Sequence, residues 1–256
     1  METISNEALA AARAKLDAAE SRRENILLFH IANGVNIENR TVQIDEGVVI
    51  APGATILAGP ILRGKTVIGA GCVIGPNSLI EDSIVDEGTT VNASQVYGSH
   101  LGPHNNIGPF THVRVNTVTD YGVHLGAYVE TKNSNFARGN TVSHLTYIGD
   151  SDVGKYCNFG CGTVTCNYDG KDKFRTQIGD YCIIGCNPLW LRSRWATVPT
   201  PPPVAPSPRM CPPRRWASPA TARPTLRAGP PPRWRPISPK SRSWRRSRTS
   251  NSPATL

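Results

Sequence analysis

Side chains suited to acid–base chemistry and anion binding gather in two polar stretches of the second half of the sequence, residues 131–147 and 166–177. The residues concerned are Lys132, His144 and Tyr147, then Asn158, and then Asn167, Tyr168 and Lys173. A base, several hydroxyl and amide groups and two cations on one face would suit a phosphorylated sugar. An ordinary polar rim is the alternative interpretation of the same residues.

The remaining histidines and the cysteines favour structural roles. A lone histidine more often completes a hydrogen-bonding network than binds a metal. His100, His104 and His112 suggest a zinc site between subunits, but their spacing does not match the usual ligand patterns. The cysteine spacings are not the paired C-x2-C of a zinc site, and seven reduced cysteines fit a cytoplasmic protein. We therefore predict no metal ion.

The elements that must position these residues follow from an aliphatic period of six. Its first run is Ile44, Ile50, Ile56, Leu62, Ile68, Ile74 and Ile80, and it resumes from Ile107 to Ile184. A fixed period of six is typical of hexapeptide repeats, in which three short strands close a triangular coil and stacked coils bury one aliphatic column. The sequence therefore predicts an all-β fold, a left-handed parallel β-helix.

Two interruptions of this period coincide with the two polar stretches. Insertions in solenoid proteins form loops on one face, and binding sites collect there. We therefore predict loops over residues 131–147 and 166–177, with His144 in the first and Lys173 in the second.

Composition divides the chain into three segments. Residues 1–30 are predicted to be a linker helix, because Ser5 and Asn6 can cap a stretch rich in helix formers. Residues 31–187 form the predicted β-helix domain, and residues 188–256 form a Pro-, Arg- and Trp-rich tail that we expect to be disordered.

The net charge of +9 comes entirely from this tail. Residues 1–187 hold 14 Lys and Arg against all 19 Asp and Glu, and the tail holds the other 14 basic residues. All five tryptophans lie in the tail, which is unusual for a disordered segment. An out-of-frame translation product is one interpretation, and a tail that binds a nucleic acid or a protein is the other.

No apolar run of about 18 residues and no secretory signal is visible, so we predict a cytoplasmic protein without a membrane partner. Because the β-helix segment is net acidic, we do not expect a nucleic-acid partner for it.

Three strings carry a more specific signal than the hexapeptide pattern. They are IGPFTHVR, SHLTYIGD and CNFGCGTVTCNYDGKDKFRTQIGD. They closely resemble the C-terminal acetyltransferase domain of the bifunctional N-acetylglucosamine-1-phosphate uridyltransferase / glucosamine-1-phosphate N-acetyltransferases, and the likeness runs from about residue 5 to residue 187. The resemblance implies acetyl transfer from acetyl-CoA to glucosamine-1-phosphate in UDP-N-acetylglucosamine biosynthesis, by a homotrimer with sites between adjacent β-helices.

The resemblance also implies a role for each matching residue. His144 would be the general base that takes a proton from the 2-amino group as its nitrogen attacks the thioester, with no acyl-enzyme intermediate. Arg114 and Lys132 would hold the phosphate. A backbone donor at Cys161 would stabilise the developing oxyanion, and Cys161 and Cys186 both lie where the family contacts the coenzyme. The other substrate-binding residues would be Tyr147 and Asn158, then Asn167, Tyr168 and Lys173, partly across a subunit boundary.

The sequence also departs from that family. The family's N-terminal nucleotidyltransferase domain has no counterpart, so we do not expect uridyl transfer. An Arg-Pro-Gly corner reads Arg114-Val115-Asn116 here, and no hexapeptide coils follow Asn187, which predicts weakened or lost activity. Two alternatives stay open: an acetyltransferase for another amino sugar, and a non-catalytic scaffold whose basic tail binds a partner.

Overall fold

The computed structural model of the protein describes residues 4–187 and the backbone of residues 189–191. It opens with one helix, α1 (Asn6–Ala32), which confirms the predicted N-terminal helix. The Ser5 side chain accepts a hydrogen bond from the backbone N–H of Ala8 at 3.2 Å and so caps the first turn. Leu27 and His30 are the buried residues of this helix, which packs on the first strands through its last turns.

After α1, the described chain forms 24 short strands in succession. They are β1 (Asn36–Ile37), β2 (Gln43–Ile44), β3 (Val49–Ile50), β4 (Thr55–Ile56), β5 (Ile61–Arg63), β6 (Val67–Ile68), β7 (Val73–Ile74), β8 (Leu79–Glu81), β9 (Ile84–Val85), β10 (Thr90–Val91), β11 (Gln95–Tyr97), β12 (His100–Leu101), β13 (Asn106–Ile107), β14 (His112–Val113), β15 (Val118–Thr119), β16 (His124–Lys132), β17 (Asn135–Phe136), β18 (Thr141–Gly149), β19 (Ser151–Val153), β20 (Asn158–Phe159), β21 (Val164–Cys166), β22 (Thr176–Ile178), β23 (Ile183–Ile184) and β24 (Leu189–Leu191).

The strands stack in parallel on three faces. The first face holds β1, β4, β7, β10, β13, the first part of β16 and of β18, β20 and β23. The second holds β2, β5, β8, β11, β14, the later part of β16 and of β18, β21 and β24. The third is an eight-stranded sheet from β3 to β22. The predicted left-handed parallel β-helix is confirmed.

The predicted aliphatic column lies inside the prism. Ile56, Leu62, Ile68, Ile74 and Ile80 have no exposed surface. Each of them stands above an equivalent residue of the previous coil, as Ile74 stands above Ile56 in the parallel ladder. Burial of this apolar surface is the main term that holds successive coils together.

The corner between the second and third faces needs left-handed backbone. Asp82, Gly98, Asn116, Asn133 and Asp150 occupy it in successive coils, and all have φ between 45° and 61°. Asn and Asp are the side chains that best tolerate this region besides glycine.

The predicted loop over residues 131–147 is wrong. The coils continue without insertion through β16, β17 and β18, and Ala127 pairs with His144 in the ladder. The period was hidden because the inward positions of this stretch are mostly polar or aromatic. They are Thr131, Ser134, Phe136, Asn140, Val142 and Thr146.

The residues of the second interruption do project from the coil as a loop. β21 ends at Cys166 and β22 begins at Thr176, so residues 167–175, here named the insert loop, project from the corner between the second and third faces. Beyond it, the backbone of β24 pairs with β21, so the parallel ladder extends past Asn187. β24 lies within the predicted tail and is a paired strand; for the rest of the tail, the predictions of disorder and of an out-of-frame origin lie outside the described residues. Among the described helices none is long and apolar enough to cross a bilayer.

Candidate active site

His144 lies at the corner where β18 passes from the first face to the second, and its side chain is exposed. Because the ladder register is kept between these coils, the equivalent positions in the next two coils are Cys161 and Cys186. Cys161 is partly exposed and Cys186 is exposed. The predicted base and the two residues assigned to the coenzyme thus form one column, the His144 column, at a strand spacing of about 4.8 Å.

An apolar ridge flanks this column. It consists of Phe110, Tyr128 and Leu145, which occupy the neighbouring position of the same corner with positive φ and are 58%, 63% and 60% exposed. The Phe110 and Tyr128 rings stack with their centroids 5.5 Å apart. Large side chains are rare at positive φ, but the arrangement is not unique to this corner, since Tyr156 and Tyr181 also stack with positive φ at the corner between the third and first faces.

Arg114 and Lys132 lie on the outside of the second face in adjacent coils. Val113 pairs with Thr131, which places the two cations one above the other at the end of their strands. The Arg114 guanidinium donates to the Glu130 carboxylate at 2.7 Å, and both side chains remain about 40% exposed. Glu130 therefore fixes the orientation of Arg114 and offsets part of its charge.

Tyr147 completes this group, because it pairs with Glu130 in the ladder. Its phenol oxygen lies over Gly149, where a Cβ atom would overlap the ring. Burial, followed by the negative charges of Asp150 and Glu130, raises the pKa of the Tyr147 phenol, against a smaller lowering by Arg114. The phenol is therefore an O–H donor at neutral pH. Arg114, Lys132, Glu130 and Tyr147 are named here the cation face.

The insert loop carries the remaining predicted residues. Tyr168 and Lys173 form an antiparallel bridge, and the Tyr168 hydroxyl donates to the Gly170 carbonyl at 2.7 Å. Both side chains are exposed. Asn167, at the start of the loop, is buried instead.

The predicted residues thus lie in several separate groups and not in one cluster. His144 lies three residues before Tyr147, which is at most about 10 Å along the backbone because the chain turns at Leu145 between them. Asn158 is exposed at the start of β20 on the first face, in the coil after His144. The insert loop begins at the far edge of the second face, six residues after Cys161, and so at most about 20 Å along the backbone from the His144 column.

Three further polar residues escaped the sequence analysis. Glu130 precedes Tyr147 by one coil, and Asn133 and Asp150 precede Asn167 by two coils and one coil. Asn133, Asp150 and Asn167 are each 17 residues apart, which is the length of a coil here, so their spacing was the available signal. Within the described residues, no group of three or more His, Cys, Asp and Glu side chains is placed to bind a metal ion.

Comparison with known proteins identifies the relatives of this chain. It is 45% identical over 172 residues to the bifunctional protein GlmU of Clostridium novyi and 44% identical over 172 residues to that of a Geobacillus species. GlmU proteins are homologues of this chain. The predicted resemblance is thereby confirmed. The matches cover 67% of this chain but only 38% of either GlmU, so the chain spans well under half the length of these relatives.

Other comparisons are less specific. GlmU of Clostridium acetobutylicum is 46% identical over 159 residues, which is 62% of this chain and 35% of that protein. No family model matches. Among solved structures, LpxA from Acinetobacter baumannii is 17% identical with a TM-score of 0.40, over 60% of this chain and 66% of that one. The UDP-N-acetylglucosamine acyltransferase from Campylobacter jejuni is 16% identical with a TM-score of 0.41 over the same shares.

Proposed function

We propose that this chain transfers an acetyl group from acetyl-CoA to the 2-amino group of glucosamine-1-phosphate, which gives N-acetylglucosamine-1-phosphate for UDP-N-acetylglucosamine biosynthesis. The observation that carries the proposal is the 45% identity to GlmU over 172 residues. The exposed His144, in one column with the residues assigned to the coenzyme, supports it.

The chemistry requires a base, because an amine attacks a thioester only through a free electron pair. His144 would accept a proton from the amine as the N–C bond forms and the C–S bond of the thioester breaks. The coenzyme leaves as a thiolate and takes the proton back from the imidazolium. The balance is one amide and one thiol from one amine and one thioester, without an oxidant or a metal-bound intermediate.

The cation face would bind the phosphate of the sugar. Arg114 and Lys132 supply positive charge in adjacent coils, and the Tyr147 phenol, whose oxygen lies over Gly149 in the coil after Lys132, supplies a neutral donor beside them. Glu130 holds the guanidinium at 2.7 Å and so presets its direction before the ligand arrives.

The coenzyme would lie along the His144 column. Cys161 and Cys186 follow His144 in successive coils, and the apolar ridge of Phe110, Tyr128 and Leu145 offers a surface for the uncharged arm that carries the acetyl group. Because one β-helix presents a convex corner here, a second wall is needed to enclose so long a ligand.

A neighbouring copy of the chain would supply this second wall, and we therefore propose a homotrimer. The insert loop projects from the far edge of the second face, and in a trimer its Tyr168 and Lys173 would reach the His144 column of a neighbouring copy rather than their own. Asn158 and Asn167 would complete the pocket on the two sides.

The test is release of coenzyme A thiol from acetyl-CoA by the full chain, with glucosamine-1-phosphate, glucosamine-6-phosphate and glucosamine compared as acceptors. We expect turnover with glucosamine-1-phosphate and confirmation of the N-acetyl product by mass spectrometry. Faster turnover with another amino sugar would show that the proposed substrate is wrong and that the preferred sugar replaces it. Because the altered C-terminus alone predicts weakened or lost activity, the outcome that would sink the acetyltransferase proposal is no thiol release from a trimeric version whose tail is replaced by in-frame hexapeptide coils. Salt-dependent nucleic-acid binding lost on removal of residues 188–256 would support the scaffold alternative.

A further inference from the structure

Asp150 makes an unusual set of contacts at the base of the insert loop. Its carboxylate is buried and accepts hydrogen bonds from the side-chain amides of Asn133, in the coil before, and Asn167, in the coil after. Its backbone carbonyl accepts the N–H of Thr176 at 2.8 Å. One residue therefore holds both the first residue of the insert loop and the residue that follows its end.

Other contacts close the loop above this base. The N–H of Phe174 donates to the Asn167 carbonyl at 2.7 Å, and Tyr168 and Lys173 pair across the loop. The exposed Tyr168 and Lys173 side chains are thus carried by a small hairpin whose stem rests on Asp150. Neither residue touches Asp150 itself in the described contacts.

We propose that Asp150 is the positioning residue of this pocket: it locks the insert loop to the β-helix and thereby sets where Tyr168 and Lys173 are presented to the ligand. What the loop binds rests on the proposed function. The role of Asp150 in holding the loop is independent of the proposed function.

A carboxylate is needed for this arrangement, because it accepts hydrogen bonds and, when ionised, donates none. Both Asn133 and Asn167 must therefore turn their NH2 groups toward Asp150. An asparagine in its place would offer one acceptor and one donor group, so one of the two neighbouring amides would have to reverse or lose its bond. Hydrogen bonds to a charged, buried group are also stronger than those between neutral groups.

The substitution Asp150→Asn isolates this effect. The residue has φ 45°, where asparagine is tolerated as well as aspartate, so the change adds no backbone strain. Asp82→Asn is a matched control, since Asp82 occupies the same corner with φ 47° and accepts the Lys65 N–H at 2.9 Å, in a coil without an insert.

Limited trypsin digestion measures the opening of the loop, which offers Lys171, Lys173 and Arg175 as cleavage sites. We expect cleavage there to be roughly tenfold faster in Asp150→Asn, as the loss of a charge-assisted bond implies, and unchanged in Asp82→Asn. The folded fraction is isolated first by size exclusion. Equal cleavage rates in wild type and Asp150→Asn would overturn the proposal.

An exchange variant and the kinetics supply independent readouts. Asp150→Asn with Asn167→Asp restores an amide–carboxylate pair, and we expect slow cleavage again; cleavage as fast as in the single variant would contradict a specific pair. In the transfer assay, Asp150→Asn should raise KM for glucosamine-1-phosphate about tenfold with kcat within about threefold. An unchanged KM beside faster cleavage would break the link to the pocket. Absence of thiol release both from the chain and from a trimeric version with in-frame hexapeptide coils would refute the proposed function, while the cleavage rates would still decide the role of Asp150.

Discussion

The two halves of the β-helix are built from different interiors. The lower coils, residues 36–101, bury six polar side chains in the described structure, and the upper coils, residues 105–187, bury fourteen. The lower interior is otherwise an aliphatic column such as Ile68 above Ile50. All the predicted site residues lie in the upper coils.

The difference indicates that different coils of a repeat fold provide its stability and the geometry of its site. Apolar contacts between coils are strong but non-directional. Hydrogen bonds from inward hydroxyls and amides are directional, as where the Thr111 hydroxyl donates to the Leu125 and Gly126 carbonyls at 3.0 and 2.8 Å. These bonds fix the corner that carries the His144 column. We infer that the lower coils mainly stabilise the prism and that the upper coils hold the site in register.

The largest effect on stability is expected in the lower coils. Leu62 is fully buried, so Leu62→Ala removes apolar volume and leaves a cavity in the aliphatic column. We expect a loss of about 2–5 kcal/mol in the free energy of unfolding, measured by urea unfolding followed by circular dichroism. A cost below about 1 kcal/mol would contradict the assignment of the lower coils as the stabilising half.

The largest effect on activity is expected at the His144 corner. His144 is exposed, so His144→Ala should leave unfolding almost unchanged and lower kcat for acetyl transfer by at least about a hundredfold. His100→Ala is the control, because His100 contacts Asp86 at 2.8 Å on the third face of the lower coils. Equal losses in the two variants would refute the role of His144 as the base.

The fold was predictable because its signal is a period rather than a set of propensities. An aliphatic residue every six positions persists from Ile44 to Ile80, and no helix or ordinary strand keeps that spacing. The prediction was wrong at residues 131–147, where Thr131, Ser134 and Asn140 point inward. The cost of burying inward polar groups is offset by hydrogen bonds to neighbouring coils, as where the Asn140 side-chain amide donates to the Gly154 carbonyl at 2.8 Å. A single sequence does not show those partners.

The candidate site was predictable only in part. The resemblance supplied His144, Lys132 and the other site residues, and the structure shows which of them share a column or a face. The resemblance did not supply Asp150. In the sequence, a buried acid at a corner looks like any Asp in a turn until its partners one coil away are known. Their spacing of 17 residues becomes meaningful only when the coil length is known.

A smaller stability effect is expected from the upper interior. Thr111→Val keeps the shape of the side chain but leaves the Leu125 and Gly126 carbonyls without its hydroxyl. We expect a cost of about 1–2 kcal/mol. Ser78→Ala in the lower coils is the matched control, since its hydroxyl lies 3.4 Å from the Val91 carbonyl and should cost less. A larger cost at Ser78 would reverse the proposed difference between the two halves.

The smallest effect concerns the end of the insert loop, where pH becomes the probe. The Arg175 guanidinium donates to both oxygens of Asp152 at 2.5 and 2.7 Å, and Asn135 and Gln177 add further bonds. The Arg175 hydrogen bonds are the main cause that lowers the pKa of the Asp152 carboxyl to about 2.

Since this folded-state pKa lies below that of the unfolded chain, the stability that the pair contributes is present above about pH 4 and is lost as the pH falls through about 2. Both side chains are about one-third exposed, so we expect the contribution to stay below about 1 kcal/mol. Arg175→Gln should therefore be less stable than wild type at pH 6 by that amount, and the two urea midpoints should converge toward pH 2. A difference that stays constant from pH 6 to pH 2 would mean that Arg175 anchors the loop through the Asn133 and Ser151 carbonyls, which it also contacts, rather than through the charge of Asp152.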